Sequence, residues 1–228
     1  MQQDKIWDYF QNEGLQHGQF PEARQRFVLK HLRAGQKVLN IGVGSGHLER
    51  LALAKGTIIH ALDPSERAIE RLRAELGLSE RAQAGYVQAI PFADESFDVV
   101  VMSEVLEHLD DEILKLGLAE VKRVLKPGGM LLATVPYQEE LGANTVVFPD
   151  CGKVFHKVGH VQSFDRKKMT DLIQGAGLKT VQITVTTFID WRRAGLRNLL
   201  KSTIRVFLAR LGEGIGDPHL IARAQKVF

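Results

Sequence analysis

The chain has a single cysteine, Cys151, among its 228 residues. That excludes an internal disulfide and suits a reducing cytoplasm, the compartment expected for this chain. No run of 18 apolar residues occurs, so no segment is expected to cross a membrane. Charge of either sign is in small excess: 30 Lys and Arg against 27 Asp and Glu leave +3. That is too little to imply a nucleic-acid partner. Repeats and low-complexity linkers are missing, which leaves one domain over 1–228, or one domain with additions. Residues 1–10 are polar and carry Asp4 and Asp8, unlike a secretory signal peptide. Apolar residues make up 44% and charged ones 25%, ordinary for a globular chain able to bury a full core.

What the sequence does have is glycine at one decisive place. Residues 37–48 read K-V-L-N-I-G-V-G-S-G-H-L. A short apolar run meets Gly42, Gly44 and Gly46, and a leucine–alanine pattern of helical period follows. The reading is strand, glycine turn, helix. Glycine permits positive φ and lets backbone approach a ligand closely. The helix behind the turn aims its free N–H groups at whatever lies above it. A dinucleotide fingerprint would be G-x-G-x-x-G; here the third glycine comes one residue early and His47 stands in its place. A second apolar run, 57–62, closes at Asp63-Pro64-Ser65. A carboxylate at that strand end, beside a glycine turn, can accept two hydrogen bonds from a ribose diol. The plainer alternative is a turn or cap residue, since D-P-S opens a helix well.

Further along, 37–41, 57–62, 83–87, 97–102, 130–135 and 178–188 read as strands, and 219–227 as a last one. Helical patterns alternate with the earlier strands, as in a doubly wound, mostly parallel sheet. The run 97–102 is apolar except for Asp98, as for a strand covered on both faces. Ser103 and Glu104 follow at its carboxyl end, where open α/β sheets bind ligands. Lys126 to Gly129 read as a turn. Residues 1–20 carry Trp7, Tyr9, Phe10 and Phe20. They read either as a helix packed on the core or as a lid with His17 near the substrate. Pro21 starts the next helix.

The G-x-G-x-G turn with Asp63 resembles the class I S-adenosylmethionine-dependent methyltransferases of small-molecule type. P-F-x-D-x-S-F-D-V-V, S-E-V-L-E-H-L and L-K-P-G-G, all within residues 35–136, resemble later motifs of the same family. The resemblance implies a Rossmann-like sheet of seven strands, the last antiparallel. It divides the chain into an N-terminal helical cap (1–34), a cofactor core (35–136) and a substrate-side half (137–228). It implies S-adenosylmethionine as cofactor, released as S-adenosylhomocysteine. By position, Gly42, Gly44 and Gly46 would back the methionine part and Asp63 would hold the ribose. Val87 and Gln88 fall at the adenine ring, while Ser103 and Glu104 flank the methionine end. Two positions depart from the family. Its usual acid before the glycines is Asn40, which still hydrogen-bonds but carries no charge. Its frequent acid near the adenine amine is Tyr86.

Beyond residue 136 the motifs fade. Cys151, His156 and His160 look like fragments of a metal knuckle. Structural zinc usually wants four ligands opening with C-x-x-C, and Phe148 takes the partner cysteine's place, so no metal is assigned. G-H-V-Q-S-F-D, 159–165, resembles a segment preceding a helix in many of these enzymes and makes His160 the leading candidate for substrate contact. His160 and His108 are the candidate catalytic residues, since histidine suits a general base near neutral pH. His156, His17 and Tyr137 are secondary candidates. Residues 190–211 form an amphipathic pattern with Arg193, Arg197, Lys201 and Arg205 at steps of four. They read as an inserted helix, a lid, a dimer contact or a peripheral membrane contact. The leading function is methyl transfer to a small molecule. The alternatives are a non-catalytic cofactor- or partner-binding module and a nicotinamide-dependent oxidoreductase.

Overall fold

The computed structural model describes residues 4–14, 22–188 and 218–227. Helix α1 (Asp4–Tyr9) runs into a wider turn, Phe10–Gly14, and α2 is Glu22–Lys30. Then follow β1 (Lys37–Ile41), α3 (His47–Ala54), β2 (Ile58–Asp63), α4 (Glu66–Leu76), β3 (Ala82–Ala84) and β4 (Phe97–Ser103). The second half holds α5 (Asp111–Val124), β5 (Leu125–Pro136), β6 (Thr145–Val147), β7 (Val154–His156), α6 (Arg166–Gly175), β8 (Lys179–Thr186) and β9 (His219–Gln225). His17, Pro21 and the basic pattern at 190–211 lie outside the described residues.

Seven strands form one sheet in the order β3-β2-β1-β4-β5-β9-β8. The first five are mutually parallel, and β9 runs antiparallel between β5 and β8. Side chains alternate across it. Leu39, Ile41, Val100, Met102, Leu131 and Ala133 face one layer with α5 and α6. Val38, Val99, Val101 and Leu132 face the other with α2, α3 and α4. Strands covered on both faces require such apolar runs. Asp98, the exception in β4, is matched by Lys126 Nζ at 2.7 Å and the Lys37 N–H at 2.7 Å. Helix starts are capped by side chains: Ser65 accepts from the Ala68 N–H, Asp110 from Ile113 and Asp165 from Lys168.

Three local expectations are corrected. The third strand is only Ala82–Ala84, and Val87 opens a short turn of 3-10 type instead. Lys126 to Gly129 are not a free turn but a bulge inside β5: Phe97 pairs with Leu125, and pairing resumes at Val99 with Met130. Glycine is needed there because a Cβ on Gly129 would lie 2.8 Å from the Lys126 carbonyl oxygen. The segment after β5 holds a small hairpin, β6 with β7, where only loop was expected.

The chain leaves β1 toward β2 and β3, then crosses back to β4. That reversal opens a crevice at the carboxyl ends of β1 and β4, the place where such sheets take ligands.

Candidate active site

A cleft of about 560 Å³ fills that crevice. Its floor is the turn after β1. Gly42 and Gly44 line it with φ of +84° and +52°. A Cβ on Gly42 would meet Val105 at 2.6 Å, so the backbone lies bare by necessity. Asp63 stands beside the turn, buried. Its Oδ2 accepts from the Val43 N–H at 2.9 Å and Gln11 Nε2 at 3.2 Å, and its Oδ1 accepts from the Ser65 N–H at 2.9 Å. Burial raises its pKa, and these donors oppose the rise.

One side wall is Tyr86, Val87 and Gln88. Val87 packs on α5 exactly where that helix has Gly117, whose Cβ would come within 3.0 Å of both valine methyls. Gln88 Oε1 is buried with no hydrogen-bond partner. The rear wall holds Ser103, Glu104 and Val105. Glu104 has φ +58° and is clamped by Arg24 at 3.3 Å, His219 at 3.1 Å and the Thr134 hydroxyl at 2.9 Å. Burial alone would raise its pKa, but Arg24 and His219 bring it down to about 2. Thr134 in turn accepts from the Ser103 hydroxyl at 2.9 Å.

The opposite mouth is formed by His108, His160, Lys157 and Val158, with Trp7 from α1 and Gln11 from the wider turn after it. Trp7 meets His108 edge-on at 4.2 Å, and His108 meets His160 edge-on at 4.6 Å. His108 Nδ1 donates to the Gly159 carbonyl oxygen at 3.3 Å. Burial, with His160 close by, lowers the His108 pKa to about 3. His160 Nδ1 donates to the Glu139 carboxylate. Burial tends to raise the Glu139 pKa, but His160 pulls it below its ordinary value.

Comparison with known proteins fits this geometry. Residues 39–133 match a family model described as a methyltransferase domain. The ubiquinone/menaquinone biosynthesis C-methyltransferase of Legionella pneumophila is 35% identical over 183 residues, covering 73% of this chain and 70% of that protein. The chain belongs to the class I S-adenosylmethionine-dependent methyltransferases. Among solved structures, a chain of the complex of the Haloferax volcanii Trm112 methyltransferase activator with a methyltransferase superposes with a TM-score of 0.71 at 19% identity, covering 97% of this chain and 98% of that one. Burkholderia thailandensis 1,6-didemethyltoxoflavin-N1-methyltransferase, solved with its acceptor and S-adenosylhomocysteine, gives 0.66 at 17% identity, covering 99% and 87%. Both likenesses speak for the fold. The chain spans 61%, 43% and 39% of the length of three further curated relatives.

The methyltransferase cleft fits S-adenosylmethionine on its own evidence. A bare glycine turn and a buried carboxylate with one lone pair of Oδ1 uncommitted line it, and so does Gln88, whose oxygen is buried without a partner. Gly42, Gly44, Asp63, Val87, Gln88, Ser103, Glu104, His108 and His160 come together there, as the sequence indicates. Two residues do not. Gly46 sits below the floor, where a Cβ would strike Leu72 at 2.5 Å, so its glycine serves helix packing. Asn40 is turned away from the cleft: its Nδ2 donates to Glu49 Oε1 at 2.7 Å and to the Gly42 carbonyl oxygen at 3.3 Å. The reason is Glu49, a fully buried carboxyl on α3 that needs a donor, and burial raises its pKa to about 7.

Tyr137 bridges to Phe164 and packs on the core, outside the cleft lining. Cys151 is exposed, and no grouping of His, Cys, Asp and Glu close enough for a metal includes it among the described residues. Gln11, Arg24, Glu107 and Glu139 escaped the sequence reading as site residues, and Trp7 entered it only as one of the N-terminal aromatics. Only the N-terminal aromatics gave a hint, in the expectation of a lid.

Proposed function

We propose that this methyltransferase carries the sulfonium methyl of S-adenosylmethionine to a small acceptor held between the glycine turn and the imidazoles of His108 and His160. One observation carries the reading: a single cleft joins the Gly42–Asp63–Gln88 wall to that imidazole mouth. S-adenosylmethionine supplies an already activated methyl group. The chain's part is to hold a nucleophile in line with it, and proximity and orientation are worth roughly 7–11 kcal/mol of barrier. Gly42 and Gly44 admit the methionine portion, Asp63 takes the ribose hydroxyls, and Gln88 Oε1 accepts from the adenine amine. Glu104 sets a fixed negative charge at the methionine end.

His160 is the better placed of the two candidate bases. Its Nδ1 proton is held by Glu139, which leaves Nε2 to accept a proton. His108, at about 3, is too weak a base near neutrality and serves as a wall. The early third glycine and the family membership speak against a nicotinamide oxidoreductase.

The test is calorimetric titration followed by a screen. Micromolar binding of S-adenosylmethionine without NAD binding, then transfer of labelled methyl to a component of a metabolite extract, is the expected result. Binding without any labelled product would favour the non-catalytic module, and absence of binding would overturn the reading.

A further inference from the structure

Glu107 stands out among the described residues as a carboxyl with both oxygens buried and unpaired. It is 1% exposed, and neither carboxylate oxygen has a hydrogen-bond partner. An ionised carboxyl buried without a partner costs several kcal/mol in general, a cost that a bound cation would remove. Its neighbours are His108 and His160. One ligand atom from each of the three lies within 4.8 Å of the others, and His160 Nε2 is 3.9 Å from Glu107 Oε1. Donors about 2.1 Å from one ion stand about 3.0–3.5 Å apart, so small side-chain movements close the set.

The hydrogen bonds also fix which nitrogens are available. His108 spends its Nδ1 proton on the Gly159 carbonyl, and His160 spends its own on Glu139. Both Nε2 atoms therefore carry a lone pair. A carbonyl or carboxylate behind the ring is the usual outer support of a ligating histidine. His156 makes the instructive contrast. A second cluster, Glu139 with His156 and His160, also has its ligand atoms within 4.8 Å of one another. But His156 Nδ1 accepts the His160 N–H at 3.0 Å, so its proton sits on Nε2, facing Glu139. It has no lone pair to give there.

We infer that Glu107, His108 and His160 form a binding site for one divalent transition-metal ion at the acceptor end of the cleft, with open positions for an oxygen-bearing acceptor. Two imidazoles and one carboxylate suit zinc, cobalt, manganese or iron better than magnesium. This rests on the methyl-transfer reading for the acceptor but not for the ion. With the ion bound, His160 Nε2 would be a ligand and no longer the base, and an acceptor hydroxyl on the ion would lose its proton to solvent more readily. The oxygen–carbon bond then forms as the sulfur–methyl bond breaks, and the bonding pair stays on sulfur. The sequence expectation of no metal weighed Cys151, His156 and His160; the set inferred here shares only His160 with it and draws Glu107 and His108 from the S-E-V-L-E-H-L motif.

The experiment uses the full chain, stripped with chelator and titrated with Co²⁺ and Zn²⁺. Cobalt is followed by its visible absorption and by quenching of Trp7, which touches His108. S-adenosylmethionine binding is measured on the same sample. One ion per chain at low micromolar or tighter Kd is expected. Glu107→Gln and His160→Ala should each weaken it at least 10-fold, and Cys151→Ser should leave it unchanged. Retained S-adenosylmethionine binding by Glu107→Gln verifies its fold. Failure to take up one ion, or uptake indifferent to both substitutions, overturns the site while leaving the cofactor reading intact. Loss of S-adenosylmethionine binding by the wild type would instead strike the methyl-transfer reading alone.

Discussion

Asp63 shows how fully a single side chain is committed before any ligand arrives. Three donors already reach its two oxygens. A ribose diol binding both oxygens must displace the Gln11 amide. Replacing Asp63 by Ala should weaken S-adenosylmethionine binding by roughly 1.5–3 kcal/mol, the scale of hydrogen bonds to a charged group; titration calorimetry checks this. Glu49 makes a second prediction, about pH. Its folded pKa of about 7 lies above the ordinary 4.5, so the fold holds this proton more tightly than the unfolded chain does. Stability from this group is complete below about 4.5, falls as pH rises toward 7, and is flat above. The loss is about 3 kcal/mol at 1.36 kcal/mol per pKa unit. Glu49→Gln keeps an acceptor for Asn40 and removes the titration. Denaturant unfolding should show the variant more stable than wild type at pH 8, with the gap shrinking by pH 5. Asn40→Asp, which restores the family's usual acid, should destabilise at pH 8 by setting two carboxyls against each other.

Among the elements, the meeting of α5 with the turn Val87–Ala89 carries the most consequence. The bare Gly117 leaves room for Val87, which lines the cleft. A Gly117→Leu variant should push that turn inward and weaken S-adenosylmethionine binding about 10-fold, while overpacking costs about 1–3 kcal/mol of stability; one thermal melt and one titration test both. Elements such as α4 and α5 were legible because their caps, apolar stripes and stops agree. The extent of β3 was not, since Ala82–Ala84 is too short to show a period. The bulge in β5 was hidden because Pro127, Gly128 and Gly129 signal a turn equally well. Site residues at strand ends were legible from spacing. Trp7, Gln11, Arg24 and Glu139 were not, because their part depends on where distant segments come to lie.

At the scale of the whole molecule, one ion-pair cluster ties three distant parts together. Arg24 from α2 and His219 from β9 converge on Glu104 at the end of β4. Removing one partner of a buried pair leaves a charge stranded. Arg24→Met should therefore cost about 3 kcal/mol and lower Tm by roughly 6–12 °C, taking 2–4 °C per kcal/mol for a chain of this size. An unchanged melt would mean that His219 and Thr134 satisfy Glu104 unaided.

The position of β9 has a bearing on how the chain is made. Residues 219–225 are threaded between two strands already synthesised, β5 and β8, and hydrogen-bond to both. Until they emerge from the ribosome, β8 has no neighbour to zip against, and the exposed flank of β5 waits unpaired. Two of the seven strands thus join the sheet only after residues 219–225 have been made, so a chain cut short just before residue 218 should be degraded or aggregate rather than persist as a smaller folded protein.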